Sequence, residues 1–308
     1  MALNQQLPFF NPRVPFCSPI QGGLLEGMSI TVCGRVLPDA NRFHVDLQNG
    51  SDVALHFNPR YNSGGYVIIN SRMNGVWGEE KNKSQTSFPR GQLFALQILV
   101  TLSSYQISTN RESFSEFKHR IPFSYAEQIC IDGKVELSLV AFQYLAGPEN
   151  VCPPTFTIQP DRTGDDLQGG MAEDPQIQTH GFPYKSIIDG GLRSGKVIII
   201  QGVINSEGME IFLRHRTGIA FYYRPHFDEN VIVCNSYEDG KWGENETYEL
   251  TLIKIGEPLQ VTIFCSCHGY EVFVNGQQTH TYSHRYANLQ EIDVLDIRGD
   301  VQLSFVQP

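Results

Sequence analysis

Residues 56–60 read HFNPR, inside the longer stretch DVALHFNPRYNSGGYVIIN. The stretch has strand character, and a strand turns successive side chains to opposite faces. His56, Asn58 and Arg60 therefore point the same way. That face is too polar for a core. It offers an imidazole that donates or accepts, an amide that does both, and a planar guanidinium fork of donors. Asn70 ends the next β-rich run, and Trp77 and Glu80 follow the turn-rich SRMNG. Neighbouring antiparallel strands would gather these six residues into one shallow patch. Such a patch suits a polyhydroxylated ring: the apolar C–H face of a hexose lies on an indole, while its hydroxyls require directional donors and acceptors. Taken alone, HFNPR also fits a solvated sheet face, and a lone Trp is more often core. The NG and GEE that flank Trp77 argue for a surface position.

Other chemistries find less support. Glycoside hydrolysis needs two carboxylates about 5–10 Å apart across the scissile bond. Glu79 and Glu80 are adjacent in sequence and would point apart, so no catalytic residue is assigned. The cysteines at 17, 33, 130, 152, 234, 265 and 267 lack metal-site spacing. CSC at 265–267 is neither a CxxC redox pair nor a zinc knuckle, and it would place two thiols on one strand face. The cysteines are expected to be small buried hydrophobes with free thiols in a reducing compartment. No metal and no cofactor is expected.

The bulk numbers narrow the partners. The chain has 308 residues, 41% of them hydrophobic, and a formal net charge of −10. That charge argues against nucleic acid or an anionic membrane as the main partner. No apolar run approaches the roughly 20 residues of a membrane span, so no membrane insertion is expected. The opening MALNQQLPFFNPRVPF has neither a basic n-region nor a continuous apolar h-region, so no signal peptide is visible. Sequons begin at Asn49, Asn82 and Asn245; glycans on the last two would crowd the tryptophans, which favours a cytoplasmic origin.

The elements that must position the patch emerge when the chain is aligned with itself. QGGLLEGMSITVCG at 21–34 matches DGGLRSGKVIIIQG at 189–202, and GGYVIINSRMNGVWGEE matches DENVIVCNSYEDGKWGEN. KHR at 118–120 matches SHR at 283–285, and GKVELSLVAF at 133–142 matches GDVQLSFVQP at 299–308. The matches recur about 165 residues further on, so the chain is two copies of one domain. Each copy reads as short strands: MSITVCGRV, RFHVDLQ, DVALHFN, GYVIIN, LFALQILVT and VELSLVAF are β-branched and aromatic runs separated by Gly, Asn, Asp and Pro. The expected class is all-β, with two antiparallel sandwiches or jelly rolls. The expected boundaries are a first domain at 1–146, a Pro/Gly/Asp-rich linker at 147–179, and a second domain at 180–308.

HFNPR, then Asn70, then WGEE resembles the galectin signature H-x-N-P-R … V-x-N … W-G-x-E-x-R, and the similarity extends over nearly all of both copies. The chain as a whole resembles a tandem-repeat galectin. The resemblance implies galectin-type jelly rolls that bind β-galactosides, on glycoproteins or glycolipids, without catalysis or metal. It assigns His56, Asn58 and Arg60 to the axial 4-hydroxyl and ring oxygen of galactose, Asn70 and Glu80 to its 6-hydroxyl, and Trp77 to stacking beneath it. The family's final Arg is Asn82 here, a departure that bears on the second sugar. It also implies synthesis in the cytoplasm and export to the extracellular space without a signal peptide.

The second copy departs further. IAFYYRPHFDEN aligns with VALHFNPRYNSG, so Tyr222, Arg224 and His226 stand for His, Asn and Arg. Asn245 replaces Glu and Thr247 replaces Arg, while Asn235 and Trp242 are retained. This copy is expected to have altered or lost galactoside binding, and self-association is left open. The competing reading is an intracellular interaction or scaffold protein of galectin fold, whose second domain binds a protein or a non-galactoside ligand.

Overall fold

The computed structural model describes residues 6–62, 64–84, 88–110, 112–144 and 183–308. The chain divides into two compact units, Met1–Glu149 and Asn150–Pro308. The expected linker at 147–179 lies outside the described residues.

Unit 1 runs, in chain order, through β1 (Phe9–Phe10), β2 (Phe16–Pro19), β3 (Met28–Val36), β4 (Phe43–Asn49), β5 (Asp52–Arg60), β6 (Tyr66–Met73) and β7 (Val76–Trp77). It continues through β8 (Lys81–Ser84), β9 (Leu93–Val100), β10 (Ser104–Thr109), β11 (Glu112–Lys118), β12 (Gln128–Gly133) and β13 (Val135–Tyr144). One sheet has the order β1-β13-β3-β9-β10-β11, the other β2-β12-β4-β5-β6-β7 with β8 also paired to β6. All pairings are antiparallel, and consecutive strands are often not neighbours, as a jelly roll requires.

The core lies between the sheets. On β5, Leu55 and Phe57 face inward and are fully buried, while His56, Asn58 and Arg60 face out. Phe43, Phe57, Phe88 and Phe94 form its aromatic centre, with Phe43–Phe94 centroids 5.4 Å apart and Phe57–Phe88 5.6 Å apart. Each such ring removes on the order of 150–250 Å² from water, which anchors the inward register and thereby the outward one.

Unit 2 repeats the plan with β14 (Tyr184–Ile187), β15 (Val197–His215), β16 (Gly218–His226), β17 (Val231–Glu238) and β18 (Lys241–Trp242). Then come β19 (Glu246–Glu249), β20 (Pro258–Cys265), β21 (Gly269–Val274), β22 (Gln277–Ser283) and β23 (Val294–Gln307). Here β15 and β23 each run through the positions of two unit 1 strands, with register shifts between Ile204 and Met209 on β15. The strands of unit 2 are consequently hydrogen-bonded into one continuous 10-stranded sheet.

Two cysteine expectations are corrected. Cys17 and Cys130 are not free thiols: they face each other in register on β2 and β12 with Cα atoms 4.2 Å apart, and they form a disulfide. Antiparallel neighbours at a non-hydrogen-bonded pair approach this closely, which spacing along the chain could not reveal. Nor do the CSC thiols share a strand face. β20 ends at Cys265, which is buried, and Cys267 lies beyond it and is exposed. Cys33 and Cys234 are free and buried, as expected of small hydrophobes.

Candidate functional site

The register of unit 1 lines up one residue from each of five strands across the outward face of the second sheet. Cys17 pairs with Cys130, Cys130 with Asp46, Asp46 with His56, and His56 with Asn70. Around the last three lies a groove of about 420 Å³ lined by Arg42, His44, Asp46, His56, Asn58, Arg60, Ile68, Asn70, Trp77 and Glu80. All six side chains singled out in the first copy are brought together there.

Asp46 sets the role of His56. Its Oδ1 lies 2.6 Å from His56 Nδ1, so Nδ1 donates to the carboxylate, and in the neutral imidazole Nε2 is the acceptor. Asn58 is almost fully buried; its Nδ2 donates to the Phe43 carbonyl at 2.5 Å, and its Oδ1 accepts from Arg60 Nε at 2.7 Å. Arg60 is therefore held by one nitrogen, with the rest of its fork available to a ligand.

Trp77 is 46% exposed, which is unusual for a side chain of its size. A two-residue hairpin places it there. Asn74 and Gly75 take φ values of 51° and 78°, the left-handed pair of the turn that matches strand twist. The indole has the His56 ring at 4.8 Å and the Arg72 guanidinium at 5.7 Å. Its remaining exposed surface can receive an apolar ring face.

Asn70 is fixed by three hydrogen bonds. Its Nδ2 donates to the Gly78 carbonyl at 2.9 Å, and its Oδ1 accepts from Ser71 N at 2.8 Å and from Arg120 Nη1 at 3.0 Å. Gly78 leaves room for this contact, because a Cβ there would sit 2.7 Å from Arg120 Nη1 and displace it. One Nδ2 hydrogen of Asn70 remains for a ligand. The motif reading missed Arg42, His44, Asp46 and Arg120. The first three were available from RFHVDLQ by the same alternation that singled out HFNPR. Arg120 was quoted in KHR without a role, since its reach to Asn70 depends on the fold.

In unit 2 the corresponding face is built differently. Tyr222, Arg224 and His226 share the outward face of β16, with Asn235 opposite Tyr222 on β17. The Tyr222 hydroxyl donates to Glu210 Oε1 at 2.8 Å, and Arg224 Nη1 donates to the same oxygen at 3.1 Å. Burial and the neighbouring Glu210 carboxylate push the Tyr222 phenol up, so it stays a neutral donor. Asn235 keeps its support from Arg285 at 3.1 Å, but its Nδ2 donates both to the Gly243 carbonyl at 3.0 Å and to Asn245 Oδ1 at 2.6 Å. Both hydrogens of the amide are thus committed within the protein. Trp242 is half-buried, with Tyr222 at 5.2 Å and Tyr237 at 5.3 Å.

The family described as Galactoside-binding lectin matches the chain twice, over residues 15–142 and 183–307. Galectin-4 of Sus scrofa is 32% identical over 320 residues, covering 97% of both chains. Galectin-6 of Mus musculus is 32% identical over 308 residues, covering 97% of this chain and 96% of its own. Galectin-8 of Rattus norvegicus is 26% identical over 317 residues, with coverage of 97% and 96%. With a polar groove beside an exposed indole, and the family's domain matched in each half, the chain belongs to the galactoside-binding lectins, the galectins.

Proposed function

We propose that unit 1 binds galactose-terminated glycans of the lactose and N-acetyllactosamine type through His56, Asn58, Arg60, Asn70, Trp77 and Glu80. The observation that carries this reading is the Asp46–His56 pair beside the exposed Trp77. It leaves an oriented acceptor, Nε2, next to the donors of Arg60 and the face of an indole. A galactose lying on Trp77 presents its axial 4-hydroxyl to that acceptor and those donors. The 6-hydroxyl falls to the spare hydrogen of Asn70 and the carboxylate of Glu80. No bond is made or broken, and binding is by hydrogen bonds and stacking alone.

Unit 2 is read as having lost this recognition. Tyr222 and Arg224 are both tied to Glu210, and Asn245 takes the donor of Asn235 that a 6-hydroxyl would need. Its exposed face then serves another ligand, a protein surface or self-association. Calorimetry with lactose on the whole chain and on each half tests the reading: binding should come from the first half only.

A further inference from the structure

Three asparagine–glycine pairs lie in hairpin turns: Asn49–Gly50 between β4 and β5, Asn74–Gly75 between β6 and β7, and Asn275–Gly276 between β21 and β22. A following glycine, with no side chain, is the least hindered setting for a reaction of the chain with itself. The glycine amide nitrogen attacks the asparagine Cγ, and the side-chain nitrogen leaves as ammonia, taking the amide proton. The cyclic imide then takes up water. Opening at Cγ gives aspartate. Opening at the α-carbonyl gives isoaspartate, whose main chain runs through Cγ and is one methylene longer. Water is the only co-reactant.

The three turns differ in what restrains them. Asn275 is tied back to β20: its Oδ1 accepts from Gln260 N at 2.9 Å, and its own N donates to the Gln260 carbonyl at 2.8 Å. The strands on either side of it have six and seven residues. Asn49 is half-buried, between strands of seven and nine residues. Asn74 and Gly75 are both exposed. Asn74 N donates to Asp52 Oδ1 at 2.8 Å, but among the described residues neither the Asn74 side chain nor the Gly75 amide is hydrogen-bonded. β7 has only two residues, paired as Arg72–Trp77 and Met73–Val76, with the bond from Gly78 N to the Ser71 carbonyl behind them. Opening so short a ladder costs little, so this tip reaches the geometry of attack more often than the other two.

The same turn sets the place of Trp77, which faces Arg72 directly across the ladder. A two-residue turn keeps that register only while its backbone matches the twist of the strands. Unit 2 has Asp239–Gly240 here, with φ values of 51° and 80° against 51° and 78° in unit 1. Its Trp242 pairs with Tyr237 in the same way. The turn therefore accepts ordinary aspartate, and the extra methylene of isoaspartate is what breaks it. We propose that Asn74–Gly75 is a self-modifying site, at which isoaspartate formation withdraws Trp77 and ends galactoside binding by unit 1. The inference rests on the reading of Trp77 as the stacking face. It gives that binding a built-in lifetime, whereas unit 2, with aspartate already at its turn, has no amide there to lose.

The test holds the whole chain for days in neutral buffer at physiological temperature and then passes it over immobilised lactose. Peptide mass spectrometry, with chromatographic separation of aspartate from isoaspartate, maps the retained and unretained fractions. The amide-to-acid mass change should appear first at Asn74, then at Asn49 and last at Asn275. It should be faster in mildly alkaline than in mildly acidic buffer, because the attacking nitrogen must lose its proton. Chains with isoaspartate at position 74 should collect in the unretained fraction and bind lactose roughly tenfold or more weakly, as loss of the stacking surface requires. Asn74→Gly keeps a turn-forming pair without an amide, and should hold its initial lactose affinity on storage. Modification at Asn49 or Asn275 ahead of Asn74 would overturn the site. Isoaspartate-bearing chains retained as well as intact ones, or Asn74→Gly losing affinity at the wild-type rate, would overturn the consequence for binding. A fresh chain that does not bind lactose would instead remove the reading of the groove, and the order of the three asparagines would still decide the modification.

Discussion

At the scale of single residues, the proposed binding rests on polar side chains of the groove that are oriented by a partner before a ligand arrives. Asp46 keeps one imidazole nitrogen of His56 as an acceptor, and Asn58 holds Arg60 by one nitrogen. Asp46→Ala should therefore weaken lactose binding by roughly three- to tenfold, since a net hydrogen bond contributes about 1 kcal/mol. Calorimetry beside an unchanged circular dichroism spectrum reads that effect. Trp77→Ala should remove most of the affinity, because stacking adds about 0.5–1.5 kcal/mol beyond area burial. Lactose affinity within twofold of wild type in a folded Trp77→Ala variant would mean that the site has been misplaced. The same geometry sets selectivity. Lactose should inhibit binding far better than cellobiose, whose terminal glucose has an equatorial 4-hydroxyl and leaves the His56 and Arg60 groups unmatched. Arg60→Lys should weaken binding too, because a point charge replaces the planar fork.

At the scale of elements, two features of the sheets have consequences for stability. The disulfide between β2 and β12 spans a sequence separation of 113 residues. Replacing Cys17 and Cys130 by Ser together should lower the unfolding free energy of unit 1 by about 2–4 kcal/mol under non-reducing conditions. Urea unfolding with and without a reductant measures this, and wild type in reductant should approach the variant. The second feature is His280 on β22, buried with the Tyr248 ring stacked on it at 4.0 Å. Burial pushes its pKa down to about 4, against a smaller opposing pull from Glu246. Below about pH 6.5 the unfolded chain takes up a proton at this histidine that the folded unit refuses. Stability is therefore retained above that pH and falls as pH drops toward 4, by on the order of 3 kcal/mol. In urea unfolding from pH 7 to pH 4, a His280→Gln variant should lose that part of the pH dependence. The strands themselves were mostly legible in the sequence: MSITVCGRV corresponds residue for residue to β3, and DVALHFN falls within β5. The two-residue β7 was not, because it exists only as the return arm of the Asn74–Gly75 turn.

At the scale of the whole molecule, the two halves share a frame but differ in the side chains on the ligand-facing sheet. A shallow groove with a few hydrogen bonds and one stack should bind a disaccharide with a dissociation constant of roughly 10 µM to 1 mM. Residues 1–146 alone should bind lactose about as well as the full chain, and residues 180–308 alone should not. Comparable heats and affinities from both fragments would show that Tyr222, Arg224 and His226 form a working galactoside site after all. If the proposal of one such site per chain holds, crosslinking of glycans would require self-association or a second kind of ligand. The repeat, the all-β class and the grouping of His56, Asn58 and Arg60 were determined by sequence alone, since the two-residue period of a strand and the self-match need no third dimension. Only the tertiary structure decided that Asp46 orients His56, that Cys17 reaches Cys130, and that Arg120 buttresses Asn70. Each of these depends on which strands become neighbours and in what register, and that is settled by packing the two inward faces into one core.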